Sequence, residues 1–160
     1  ALMTELLELS AKHRVLEVGT GSGYQAAVLA EIVRDVFSVE IYEQLHVRAQ
    51  KNLGELGYQN VHLRHGDGAR GWKEHGPYDA IIVTCASTHI PPALVEQLRP
   101  GGRMCIPVGA PFGLQRLLLV DKQEGGKVTT RTITQVRFVP LLSRKQVPEA
   151  REPKKPPQDP

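Results

Sequence analysis

Two rhythms of apolar and polar positions alternate along this chain. Short, nearly continuous apolar runs are separated by longer stretches in which apolar residues return every three or four positions. The first rhythm marks strands covered on both faces, and the second marks helices with one buried face. In chain order, Met3–Leu9 reads as the end of a helix and Arg14–Val18 as a strand running into a glycine turn. Ser22–Val33 reads as a helix, Val36–Glu40 as a strand, and Tyr42–Leu56 as a polar-faced helix closed by Gly57. Val61–His65 and Tyr78–Thr84 are strands, the latter apolar enough to be central. Pro91–Leu98 is a helix that begins at a proline and is ended by Pro100-Gly101-Gly102. Arg103–Val108 is a fifth strand.

Strands alternating with helices imply an α/β fold with a mostly parallel sheet and right-handed crossovers. The end of the chain differs. Leu114–Asp121 and Val128–Phe138 are strand-like runs joined by the turn-rich QEGGK, which predicts a C-terminal antiparallel hairpin. Residues 144–160 hold five of the twelve prolines and almost nothing apolar, so a disordered tail is expected there and a folded domain over 1–143.

Composition narrows the class. No apolar run is long enough to span a bilayer, and the first residues lack the basic start of a signal peptide. A cytoplasmic protein with no membrane partner, and a monomer, are expected. Five of the twenty basic residues lie in 144–160, so the net charge of +3 is largely a tail property. The near-neutral remainder argues against a nucleic-acid face. Cys85 and Cys105 lack metal-ligand spacing, and the six histidines show no metal or triad spacing, so no metal is expected. Both cysteines sit in apolar runs and read as buried thiols.

The strongest chemical signal is Val15-Leu-Glu-Val-Gly-Thr-Gly-Ser-Gly-Tyr24. A strand enters three alternate glycines and then a helix, bringing backbone and free N–H groups close to a ligand. Gly19 and Gly21 fit the dinucleotide fingerprint, but its third glycine position is Tyr24 and the glycine falls at Gly23. Glu17 is expected to accept hydrogen bonds from an ammonium group, and it would repel a pyrophosphate. Glu40 ends the second strand, where an acid can take both ribose hydroxyls, and Ile41 is placed to pack on an adenine ring. Asp67 and Gly68, in HGDG after the third strand, could meet the adenine amino group and a ring nitrogen. Asp79 is as readily structural as functional.

The blocks VLEVGTGSGYQAAVLA, HGDGARGW, PYDAIIVTCA, IPPALVEQLRPGGRMCIPVG and VRFVPL resemble protein-L-isoaspartate O-methyltransferases over about residues 1–142. The resemblance implies a Rossmann-like class I S-adenosylmethionine-dependent methyltransferase. Its cofactor would be S-adenosyl-L-methionine, giving S-adenosyl-L-homocysteine as product. Methyl transfer would go to the α-carboxylate of L-isoaspartyl residues, making isoaspartyl-containing proteins and peptides the partners. It assigns the cofactor to Glu17, Gly19, Thr20, Gly21, Ser22, Gly23, Tyr24, Glu40, Ile41, Asp67 and Gly68. Thr84, Cys85, Ala86, Pro107, Val108 and Gly109 would line the reacting end, and Val139 would offer backbone hydrogen bonds to the substrate peptide. No catalytic residue is nominated, because the acceptor carboxylate is already ionised at neutral pH and alignment does most of the work.

The sequence departs from the family in two places. Family members carry a further segment, with a serine-containing loop over the cofactor, before the position of Ala1, so a truncated chain is expected. Leu142 stands where a threonine is common. Two alternatives therefore stay open: a non-catalytic S-adenosylmethionine-binding module, and a related methyltransferase with another substrate.

Overall fold

The computed structural model describes residues 1–147. Helix α1 (Leu2–Leu6) leads into β1 (Arg14–Val18), α2 (Tyr24–Ala30), β2 (Asp35–Glu40), α3 (Glu43–Glu55) and β3 (Val61–His65). Strand β4 (Tyr78–Val83), helix α4 (Pro92–Gln97), and strands β5 (Leu98–Gly109), β6 (Gln115–Lys122) and β7 (Val128–Val136) follow. The strands form one sheet in the order β3-β2-β1-β4-β5-β6-β7. The first five run parallel, and β6 is antiparallel to both of its neighbours. This is the expected α/β architecture with its C-terminal hairpin. The winding direction reverses between β1 and β4, so a crevice opens at their carboxyl ends.

Alternation along the strands divides the core. Val15, Val36, Ala80 and Ile82 face one side, where Ala26 and Leu29 of α2 and Ala49 and Leu53 of α3 cover them. Leu16, Val18, Phe37, Ile81 and Val83 face the other, under Leu94 of α4 and the partly buried Trp72. Leu29 is fully buried, so Leu29→Ala costs about 2–5 kcal/mol. In the β1–β2 register Glu17 lies opposite Ser38. Among the described residues no helix is long and apolar enough to cross a membrane.

Several boundaries differ from the sequence reading. The first helix stops at Leu6 rather than Leu9, and Glu8 takes a positive φ of 47° in the turn that follows. Helix α2 ends at Ala30 rather than Val33, because the Asn60 side chain donates to the Ala30 and Val33 carbonyls at 2.9 and 3.2 Å. The fifth strand begins at Leu98, not Arg103. Leu98 pairs with Tyr78, and Pro100-Gly101-Gly102 forms an irregularity inside the strand instead of a loop before it. Arg144–Gln146, at the start of the expected tail, forms a 3-10 turn that follows Ser143. Residues 148–160 of that tail lie outside the described residues.

Candidate functional site

One residue ties together the loops after β1, β2 and β3. Glu40, at the end of β2, accepts the Gly21 N–H on Oε2 at 2.8 Å and the Tyr42 N–H on Oε1 at 3.0 Å. Its carbonyl accepts the Gly66 N–H at 2.8 Å. Charge-assisted bonds of this kind are the stronger class, so the carboxylate is held at the rim of the crevice. Gly19 donates to Val39 O at 2.9 Å and has a φ of +95°. A Cβ there would stand 2.6 Å from Thr84 Oγ1, so only glycine fits.

These residues line a cavity of about 230 Å³ above the β1–β4 switch point. Gly19, Gly21, Glu40 and Ile41 form one wall, Gly68 contributes beside Val18, and Thr84, Cys85 and Val139 stand at the other end. Leu45, Leu141 and Leu142 add apolar surface. A Cβ on Gly68 would run into the Val18 side chain, so backbone approaches the cavity there without a side chain between. The Thr84 hydroxyl donates into the Gly19 and Val18 carbonyls, at 2.6 and 3.1 Å. Burial, with help from the Glu40 charge, pushes the Cys85 thiol up to about 12. It is therefore a neutral wall at physiological pH rather than a nucleophile.

The segments expected at the reacting end are joined through main chain. Ala86 N–H donates to Val139 O at 2.8 Å, and Leu141 N–H to Ala86 O at 2.7 Å. Ser87 N–H donates to Pro107 O at 3.0 Å, and Gly109 N–H to Ser87 O at 2.9 Å. The residues assigned to this end thus meet as three bridged segments. Only Thr84, Cys85 and Val139 of them face the central cavity, while Ala86 opens on a neighbouring one with Ser87 and Phe112. The Val139 carbonyl, expected to serve a substrate peptide, is engaged by Ala86.

Other assignments move. Glu17 is fully buried and does not line the cavity. It faces the α2 side of the sheet, because strand alternation turns it away from Val18. Thr20 is buried as well, with its hydroxyl 2.5 Å from that of Ser38. Ser22, Gly23 and Tyr24 line a separate surface pocket with Asn52 and Leu56, and Tyr24 is 76% exposed. Asp67 accepts the Ala69 N–H at 3.0 Å as a turn cap and opens on an adjoining cavity with Arg64, Arg70 and Lys145.

A model of the protein-L-isoaspartate(D-aspartate) O-methyltransferase family matches residues 1–146. The chain belongs to that family. A protein-L-isoaspartate O-methyltransferase 2 of Syntrophobacter fumaroxidans is 60% identical over 141 residues, covering 88% of this chain and 57% of that protein. The chain therefore spans little more than half the length of this relative. A solved protein-L-isoaspartate O-methyltransferase superposes with a TM-score of 0.82 at 31% identity, covering 89% of this chain and 46% of the other. A Plasmodium falciparum structure in complex with S-adenosyl-L-homocysteine shares the fold at 22% identity and a TM-score of 0.69, covering 88% and 70%.

Within this member of the isoaspartyl methyltransferase family, three supporting residues escaped the sequence reading. Gln97, at the end of α4, accepts the Trp72 N–H and donates to Arg70 O, both at 2.8 Å, and so clamps the loop that carries Gly68. His65 Nε2 lies 3.0 Å from Ile41 O, tying the end of β3 to the residue after β2. Ser38 is the one polar residue inside the run VFSV. A lone hydroxyl in a fully covered strand was the signal that could have found it.

Proposed function

We propose that the cavity above the β1–β4 switch point binds S-adenosyl-L-methionine, and that the chain supplies the methyl-donor side of transfer to isoaspartyl α-carboxylates. The observation that carries this reading is Glu40, held at the rim between Gly21 and Tyr42 beside an apolar wall. The groups present suit a nucleoside. Glu40 can accept ribose hydroxyls, Ile41 and Leu141 offer apolar faces to a flat base, and Gly68 leaves main chain open at the base edge. Bound there, S-adenosyl-L-methionine supplies a methyl group already activated on sulfur.

The chain's own part is positioning. Gly19 and Gly21 let the backbone come close, and Thr84 locks the turn between them by bonding back to β1. Bridged Ala86 and Val139 present a rigid extended edge at the acceptor end. The acceptor carboxylate is ionised at neutral pH, so no side chain has to remove a proton. Alignment and exclusion of water are the catalytic contributions left. The neutral Cys85 thiol keeps that end free of a competing charge. Isoaspartyl-containing proteins as partners, and the whole enzyme's repair activity, belong to this same reading.

The test is calorimetric titration with S-adenosyl-L-homocysteine, followed by transfer of a labelled methyl group to an isoaspartyl peptide with its aspartyl counterpart as control. Binding together with isoaspartyl-dependent labelling is expected. Binding without labelling would make the chain a cofactor-binding module, and no binding would refute the reading.

A further inference from the structure

Glu17 is the residue that the proposed chemistry leaves unused. It is fully buried in β1, and so is its register partner Ser38 in β2. Glu17 Oε2 and Ser38 Oγ are 2.5 Å apart, and Ser38 Oγ is 2.5 Å from Thr20 Oγ1. Thr20 sits between Gly19 and Gly21, and its carbonyl accepts the Gly23 N–H at 3.0 Å. A chain of three side chains therefore runs from the interior of the sheet to the glycine loop. Among the described residues Glu17 Oε1 has no hydrogen-bond partner.

That orphan oxygen decides the protonation state. An ionised carboxylate here would leave half its charge unpaired in the core, which is among the costliest arrangements in a protein. A neutral acid that donates from Oε2 leaves only an unpaired carbonyl-type acceptor, the least costly orphan. The titratable groups that act on Glu17 are Glu40 on β2 and Cys85 after β4, and neither supplies a cation. Burial is the main cause raising its pKa to about 8, with the Glu40 charge adding to it; a Ser38 hydroxyl donating to the ionised carboxylate opposes the rise, and in the neutral acid that bond runs the other way.

We propose that Glu17 is a neutral positioning residue, donating through Ser38 to Thr20 to hold the glycine loop, and that it never touches the cofactor. The proposal rests on reading that loop as the S-adenosyl site. It replaces the direct ammonium contact that the sequence suggested with an indirect one.

The test has two arms. Infrared difference spectra between wild type and Glu17→Gln at pH 7 read the carboxyl group itself, with and without S-adenosyl-L-homocysteine. The C=O band of a protonated acid, present in both states, is expected. A carboxylate band in either state overturns the proposal. Titration with S-adenosyl-L-homocysteine reads the relay. The amide of Glu17→Gln can still donate to Ser38, so affinity should stay within about tenfold of wild type, whereas Ser38→Ala and Thr20→Val should each weaken it by about tenfold or more. Thr20→Ser should restore binding. Wild-type affinity should fall above pH 8 while that of Glu17→Gln stays flat. A loss beyond about 100-fold in Glu17→Gln would show a direct charge contact, and unchanged affinity in Ser38→Ala would remove the relay. If wild type itself binds nothing, the cofactor reading fails and the infrared band still settles the state of Glu17.

Discussion

The two ends of the central cavity are built on different principles. The proposed donor end is made by the loops after β1, β2 and β3, with side chains and torsions that are individually constrained: Gly19 at φ +95°, Gly21 on the Glu40 carboxylate, Gly68 against Val18. The proposed acceptor end is assembled from three segments joined by main-chain bridges, Ala86 with Pro140 and Ser87 with Val108. Val139, at that end, is 69% exposed. Atom identity therefore matters at the donor end and chain path at the acceptor end. A ligand that is always the same can be met by fixed side chains. A peptide of variable sequence is better met by backbone, whose hydrogen-bonding groups recur in every substrate.

That contrast predicts a graded response to substitution. Gly19→Val should have the largest effect, because it adds a strained positive φ to a collision with Thr84. A loss of about 3 kcal/mol or more in stability, read by urea unfolding, is expected along with loss of S-adenosyl-L-homocysteine binding. Glu40→Ala should weaken that binding by about 1–3 kcal/mol in a calorimetric titration with the fold intact. Gln97→Ala releases two backbone partners of the Gly68 loop and should cost about 1–2 kcal/mol in unfolding experiments. Val139→Ala should change stability by less than about 0.5 kcal/mol, since the side chain is exposed and its carbonyl keeps Ala86. An acceptor-end substitution as damaging as Glu40→Ala would show that side chains matter equally at both ends.

A pH series sharpens it from within. The folded-state pKa of Glu17 lies above its ordinary value of 4.5, at about 8. Its contribution to stability is then fully present below pH 4.5 and is lost as pH rises towards 8, because the unfolded chain ionises first. The slope for one proton is about 1.4 kcal/mol per pH unit. Urea unfolding of wild type against Glu17→Gln between pH 5 and 8 should show this slope in wild type only.

The parallel sheet, its helices and the terminal hairpin were legible because period-two and period-3.6 patterns report burial directly. So was the gathering of Gly19, Gly21, Glu40, Ile41 and Gly68 around one crevice, since all sit at or just after strand ends. Proximity to the motif points to Glu17 and Tyr24, and the structure sets both side chains outside the lining of that crevice. Glu17 shares parity with Val15 and points under α2, while Tyr24 opens α2 on its exposed side. Gln97 and Ser38 were hidden because their partners are backbone or buried groups brought near only by the fold. The Pro-Gly-Gly run was taken for a helix stop, but pairing of Leu98 with Tyr78 had already restarted the strand.

If the crevice between β1 and β4 is the S-adenosyl site, backbone amide shifts during titration with S-adenosyl-L-homocysteine should change most at Gly19, Gly21, Ile41, Gly68 and Thr84, with little change at Tyr24 and Leu56. Changes centred on Ser22, Tyr24 and Leu56, with Gly68 and Ile41 silent, would contradict that placement.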